Sequence, residues 1–146
     1  MPEPAMQKLS PRARYFTPSE ANLELQKLRP RITRAADQLR SCKELFRQLR
    51  NNEPMSESQR VHTAQEASRL KEEVRMFVEE MGELGIEVKG LDPPLLDFPA
   101  LHRGREVLLC WREGERAVTS WHSLDEGFAG RAPVTDADTG AWEWLN

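Results

Sequence analysis

The stretch that decides the fold is Thr17–Arg50, TPSEANLELQKLRPRITRAADQLRSCKELFRQLR. Leu25, Leu28, Ile32, Ala35, Leu39, Cys42, Phe46 and Leu49 recur at alternating spacings of three and four. That is a coiled-coil seam, narrower and longer than an ordinary amphipathic stripe. Thr17-Pro18-Ser19-Glu20 opens it as a capping box with proline at the first helical position. Pro30 falls on the outer f position of the heptad. It predicts a local bend, or a split near Leu28, without breaking the seam.

Asn51-Asn52-Glu53-Pro54 ends this helix, and Ser56-Glu57-Ser58-Gln59 starts a second with its own capping box. The second seam reads Ala67, Leu70, Val74, Phe77, Met81, Leu84, with Gly85 as the C-terminal cap. A short connection between long helices predicts an antiparallel hairpin with arms of ~45 Å at ~1.5 Å per residue. Charge supports the pairing. Residues 1–50 carry 11 basic and 5 acidic side chains, and residues 51–90 carry 5 and 9. Glu66, Glu73 and Glu80 repeat at the g position, and Arg31 holds a g position on the first seam, so Arg31 is expected beside Glu80.

After Gly85 the hydrophobic period changes to two. Ile86, Val88 and Leu91 alternate with polar residues, Asp92-Pro93-Pro94 is a turn, and Leu95–Phe98 is a short strand. His102–Arg105 reads as a loop. Glu106–Arg112 and Ala117–His122 flank the hairpin turn Glu113-Gly114-Glu115. All four tryptophans lie after position 110. The expectation is an α+β protein: a long antiparallel coiled-coil helical hairpin followed by a small three- to four-stranded antiparallel sheet. Its divisions are an N-terminal arm (1–16), the hairpin (17–84), a β subdomain at the hairpin base (85–134) and a loosely held tail (135–146).

With 146 residues, 38% of them hydrophobic, the chain has material for one core. The balance of 21 basic against 24 acidic residues argues against a strongly basic nucleic-acid binder and against a polyacidic tail. No apolar run approaches the ~20 residues of a membrane span, and no signal-type segment opens the chain, so a cytoplasmic location is expected. Two cysteines do not make a disulfide framework.

Several stretches resemble one known family: RYFTPSEAN (14–22), GIEVKGL (85–91), DFPA (97–100), GREVLLCWREGE (104–115) and WHSLDEGFAGRAP (121–133). The chain resembles the prokaryotic family catalogued as domain of unknown function 2203 over residues 14–133. The resemblance implies a bacterial or archaeal source and brings no activity, substrate or cofactor, so function rests on the side chains.

No CxxC, HxxxH or HExxH spacing announces a metal, so none is expected. His102, Cys110, His122 and Asp125 are the available ligands, and Cys110 with His122 is the weak pair that a hairpin can bring together. A nucleophilic Cys110 would need His122 as base and Asp125 or Asp97 as orienter. The apolar neighbours Leu108, Leu109 and Trp111 instead describe a core thiol. His122, Asp125 and Glu126 are the candidates for acid–base catalysis. Gly127 and Gly130 let backbone amides turn toward a ligand, and Arg131 and Arg112, with Arg103 and Arg105 near in sequence, are the candidate anion clamps. Trp121, with Trp111 and Phe128, would supply the walls. The plainer alternative is a glycine-rich turn in which Arg131 pairs with Asp125, Glu126 or Asp97. Arg40, Lys43, Arg47 and Arg50 form a basic stripe that reads as a solvated face rather than a nucleic-acid contact. Finally, Ala36, Leu45 and Val78 widen the apolar stripe beyond the seam and call for a cover. A sheet too short for the whole rod leaves self-association of the hairpin as the preferred function: a non-catalytic interaction module and homodimer. A small enzyme or anionic-ligand sensor at Arg112, Trp121, His122, Asp125, Glu126 and Arg131 is the alternative.

Overall fold

The computed structural model describes residues 14–135 and 141–142. Most of the expected N-terminal arm, Trp144 and most of the tail lie outside the described residues.

Helix α1 (Pro18–Arg50) begins as its sequence dictates. The Thr17 hydroxyl accepts from the Glu20 amide at 3.2 Å, and the Glu20 carboxylate accepts from the Thr17 amide at 3.0 Å. Pro30 sits inside a continuous helix, so the seam is not split. A turn with Asn52 at φ 52° leads to α2 (Glu57–Glu83), capped by Ser56 and Gln59 in the same reciprocal way. The C-terminus of α2 closes as a Schellman motif. Ile86 N–H reaches the Met81 carbonyl at 2.9 Å and Gly85 N–H reaches Gly82 at 3.0 Å. Gly85 takes φ +87°, the left-handed conformation that glycine adopts without penalty.

The two helices run antiparallel. Arg31 bonds Glu80 as its heptad position requires, Gln38 bonds Glu73, and the Cys42 thiol donates to the Ala67 carbonyl at 3.4 Å. The paired numbers fall on one helix as they rise on the other.

Five strands follow as a simple antiparallel meander: β1 (Glu87–Leu91), β2 (Pro94–His102), β3 (Arg105–Arg112), β4 (Ser120–Ser123) and β5 (Ala132–Pro133). The fifth, two residues long, exceeds the expected three or four. Strand β4 also starts three residues later than the alternation of Ala117–His122 suggested. The cause is tertiary. The Asn22 amide on α1 takes both backbone groups of Val118, accepting from its N–H at 2.6 Å and donating to its carbonyl at 3.3 Å. Val118 is thereby pulled out of the ladder and buried in the core.

Leu96, Phe98, Ala100, Val107, Leu109 and Trp111 face the helices and pack on Leu25, Leu28, Ile32, Ala35, Phe77 and Met81. Phe16 meets Phe98 edge-on with ring centroids 5.3 Å apart. The sheet is not confined to the hairpin base. Its β1–β2 turn runs far enough along α1 for Asp92 to meet Lys43 at 3.3 Å and Arg40 at 3.8 Å. Past that point Leu45, Phe46 and Leu49 are only half-buried. Trp142, placed by sequence in a loose tail, is part of this core and bridges to His102. Among the described residues no helix is long and apolar enough to cross a membrane.

Candidate functional site

The sheet face turned away from the helices is also buried, and it is there that polar side chains gather. In an antiparallel ladder, directly paired residues point to the same face. Asp97 on β2 pairs with Cys110 on β3, while Leu108 pairs with His122 on β4. Cys110 is two residues from Leu108, so all three polar side chains share that face on adjacent strands. They are only 1–3% exposed. One ligand-type atom of each lies within 4.8 Å of the other two.

The hydrogen bonding orders the cluster. His122 Nδ1 lies 2.7 Å from the Ser123 carbonyl oxygen, which can only accept, so Nδ1 carries the proton. His122 Nε2 lies 3.3 Å from Asp97 Oδ1. Burial pushes the Asp97 carboxyl above the usual carboxylate range, although His122, Cys110 and Lys89 pull it back. Burial, reinforced by the Asp97 charge and hydrogen bond, pushes the Cys110 thiol up to about 12, against an opposing pull from Arg131. A thiol raised in this way stays protonated at neutral pH, the opposite of what a cysteine nucleophile needs.

The other sequence-derived candidates occupy separate environments. Trp121 follows the alternation to the opposite, helix-facing side and stacks on His102 at 4.5 Å, with Trp142 on the imidazole's other contact at 4.6 Å. Asp125 is exposed and accepts from the Ser123 hydroxyl at 2.8 Å. Glu126 is exposed and lies against Gly130, where an added Cβ would meet its side chain at 2.7 Å. Gly127, at φ +72°, lets the chain enter the 3-10 turn Phe128–Gly130.

Arg131 is held on three sides. Its guanidinium lies 2.8 Å from a Glu115 carboxylate oxygen, stacks 4.1 Å from the Phe128 ring centre and reaches toward Cys110. The acidic partner is thus Glu115, not Asp125, Glu126 or Asp97 as sequence proximity suggested. Arg112 lies over the same ring at 5.4 Å, and its backbone N–H also donates to Glu115, at 2.8 Å. The set therefore divides into a buried Asp97–Cys110–His122 cluster, a Glu115–Arg131–Phe128 clasp beside it, and exposed carboxylates on the loop. Asp97 was visible in the sequence as one of two orienters for His122. Nothing local in DFPA marks it above Asp125, and the β2–β3 register makes the choice.

The basic stripe on α1 is largely neutralised within the chain. Arg40 pairs with Asp37 and Asp92, Lys43 with Asp92, and Arg47 with Glu44 and Glu53. A trough of about 750 Å³ runs beside it, lined among others by Pro30, Thr33, Asp37, Ser41 and Leu45 of α1 and Leu70 of α2.

Fold and site together define an α+β protein in which a helical hairpin backs one face of an antiparallel meander while the other face encloses a polar cluster. The chain belongs to the family described as uncharacterized conserved protein (DUF2203), whose sequence profile matches residues 14–134. No curated protein and no solved structure matches it.

Proposed function

We propose that the protein is a non-catalytic helical interaction module that forms a homodimer through α1. The observation that carries this reading is the trough on α1 and the order of charges along it. Arg34, Asp37, Arg40 and Glu44 line the trough in the sign order plus, minus, plus, minus. An alternating string of even length meets its complement when laid antiparallel on itself. A two-fold axis level with Leu39 would place Arg34 opposite Glu44 of a second copy and Asp37 close to the second Arg40, so the exposed intrachain pairs Asp37–Arg40 and Glu44–Arg47 would be shared across the contact. Thr33 and Ser41 are small and keep the floor of the trough low, so a second helix can seat closely, with Leu45 as the apolar contact. Pro30 to Glu44 spans only ~21 Å of helix at ~1.5 Å per residue. That footprint is well below the ~800 Å² per partner of a standard interface, so the dimer is expected at micromolar rather than nanomolar concentration.

The test is sedimentation equilibrium from ~1 to ~300 µM, a range chosen to bracket a small interface. A concentration-dependent dimer is expected. Leu45→Glu should leave a monomer. Arg34→Glu should weaken the dimer, and Arg34→Glu combined with Glu44→Arg should restore it. A wild-type monomer throughout the range refutes the proposal. A dimer indifferent to all three variants refutes the assigned surface.

The alternative, an anionic-ligand sensor or enzyme around WHSLDEGFAGR, is the weaker reading. Its principal cation, Arg131, is already neutralised by Glu115. A ligand there would have to displace a bidentate carboxylate.

A further inference from the structure

We propose that Asp97, Cys110 and His122 form a site for a divalent first-row transition ion, zinc being the metal its donors favour. The inference is independent of the dimer, because the cluster lies on the sheet and not on α1.

Each of three adjacent strands contributes one donor, and the three donors differ: a carboxylate oxygen, a cysteine sulfur that releases its proton to solvent as the ion binds, and an imidazole nitrogen. A mixed set with one sulfur and one nitrogen selects zinc and its neighbours over magnesium and calcium, which require oxygen shells. The geometry fits. Metal bonds of ~2.0 Å to nitrogen and oxygen and ~2.3 Å to sulfur, at tetrahedral angles, place donor atoms ~3.3–3.6 Å apart. His122 Nε2 and Asp97 Oδ1 already stand 3.3 Å apart. All three donors fall within 4.8 Å of one another, so closure onto an ion shortens the wider spacings by at most about 1.5 Å.

The surroundings are those of a ligand set. Metal-bound imidazoles characteristically donate their second N–H to a carbonyl or carboxylate, which fixes the ring and leaves the other nitrogen's lone pair for the ion. Here the Ser123 carbonyl holds Nδ1, and Nε2 faces the cluster. Arg131 also lies beside Cys110. Glu87, paired with Asp97 across the ladder, is turned to Lys89 at 2.8 Å. The chain thus supplies three of a tetrahedron's four ligands. Thiolate and carboxylate together balance the two positive charges of the ion, so a neutral unit sits in a face that excludes solvent.

The test is cobalt titration of the full-length protein after removal of metal with a chelator, followed by absorption. Expected are a thiolate-to-cobalt charge-transfer band in the near ultraviolet saturating at one equivalent per chain, and its loss when zinc is added. Cys42→Ser leaves Cys110 as the sole thiol and should keep the band. Cys110→Ser should abolish it. Asp97→Asn and His122→Gln should each weaken binding at least tenfold. No band in folded wild-type protein overturns the proposal, as does a band that disappears in Cys42→Ser. Because the wild-type and Cys42→Ser titrations decide the matter together, the result stands even if Cys110→Ser does not fold.

Discussion

Replacing Asn22 by alanine should cost far more than truncating an exposed side chain on α1. The side chain satisfies both backbone groups of Val118, 96 positions away, through contacts of 2.6 and 3.3 Å. Removing it deletes two hydrogen bonds worth about 0.5–1.5 kcal/mol each. It also leaves a donor and an acceptor on a residue that is 2% exposed. An unsatisfied buried group adds about 1–3 kcal/mol, discounted here because Asn22 itself is half-buried and water can reach its place. A total near 2–3 kcal/mol is expected. At roughly 3 °C per kcal/mol for a chain of this size, Tm should fall by about 6–9 °C. Urea denaturation followed by circular dichroism reads the same quantity. Leu23→Ala is the control: the neighbouring residue is 59% exposed, and its truncation should stay within about 0.5 kcal/mol. A loss below 0.5 kcal/mol for Asn22→Ala would show that Val118 finds its partners without α1, and the account of the displaced fourth strand would fail.

Further outcomes follow from the same geometry. Burial opposes ionisation of Glu115, but the Arg131 hydrogen bonds and the Arg112 amide win, and its carboxyl is held below its ordinary value. Its stabilisation is therefore present above the unfolded value near 4.5 and lost as pH falls through the lower folded value. Arg131→Gln should cost about 1 kcal/mol in urea at pH 7, and the gap to wild type should narrow progressively as pH falls below 4.5; a gap unchanged by acid contradicts the pairing. Gly85→Ala should cost about 1–2 kcal/mol, because φ is +87° and the new Cβ meets Arg14 Cβ at 3.1 Å; equal stability by thermal melting would deny the Schellman closure. Trp142→Ala should cost about 3 kcal/mol and change the near-ultraviolet dichroism, since the ring packs on His102 and lies 6.1 Å from Trp121; an unchanged spectrum would detach the chain end from the core.

The helical half was legible because its determinants are local. A seam with spacings of three and four, two capping boxes and a glycine stop depend on neighbours within one or two turns. The Arg31–Glu80 pair follows once the seams are aligned. The candidate site was legible only in part. That Cys110 and His122 approach one another follows from a hairpin, but which carboxylate joins them does not. Asp125, close in sequence, bonds Ser123 instead, and Asp97, from another strand, completes the cluster.

Sequence alone determined the two helices, their antiparallel pairing and the switch to strands after Gly85, because hydrophobic period and end-caps are short-range signals. Tertiary structure alone decided the start of β4, the fifth strand, the docking of Trp142 and the buried company of Asp97. These depend on register across the sheet and on one amide reaching from helix to loop. Shifting a ladder by one residue leaves the local pattern intact yet sends every side chain to the other face, so only the assembled sheet selects which polar groups meet.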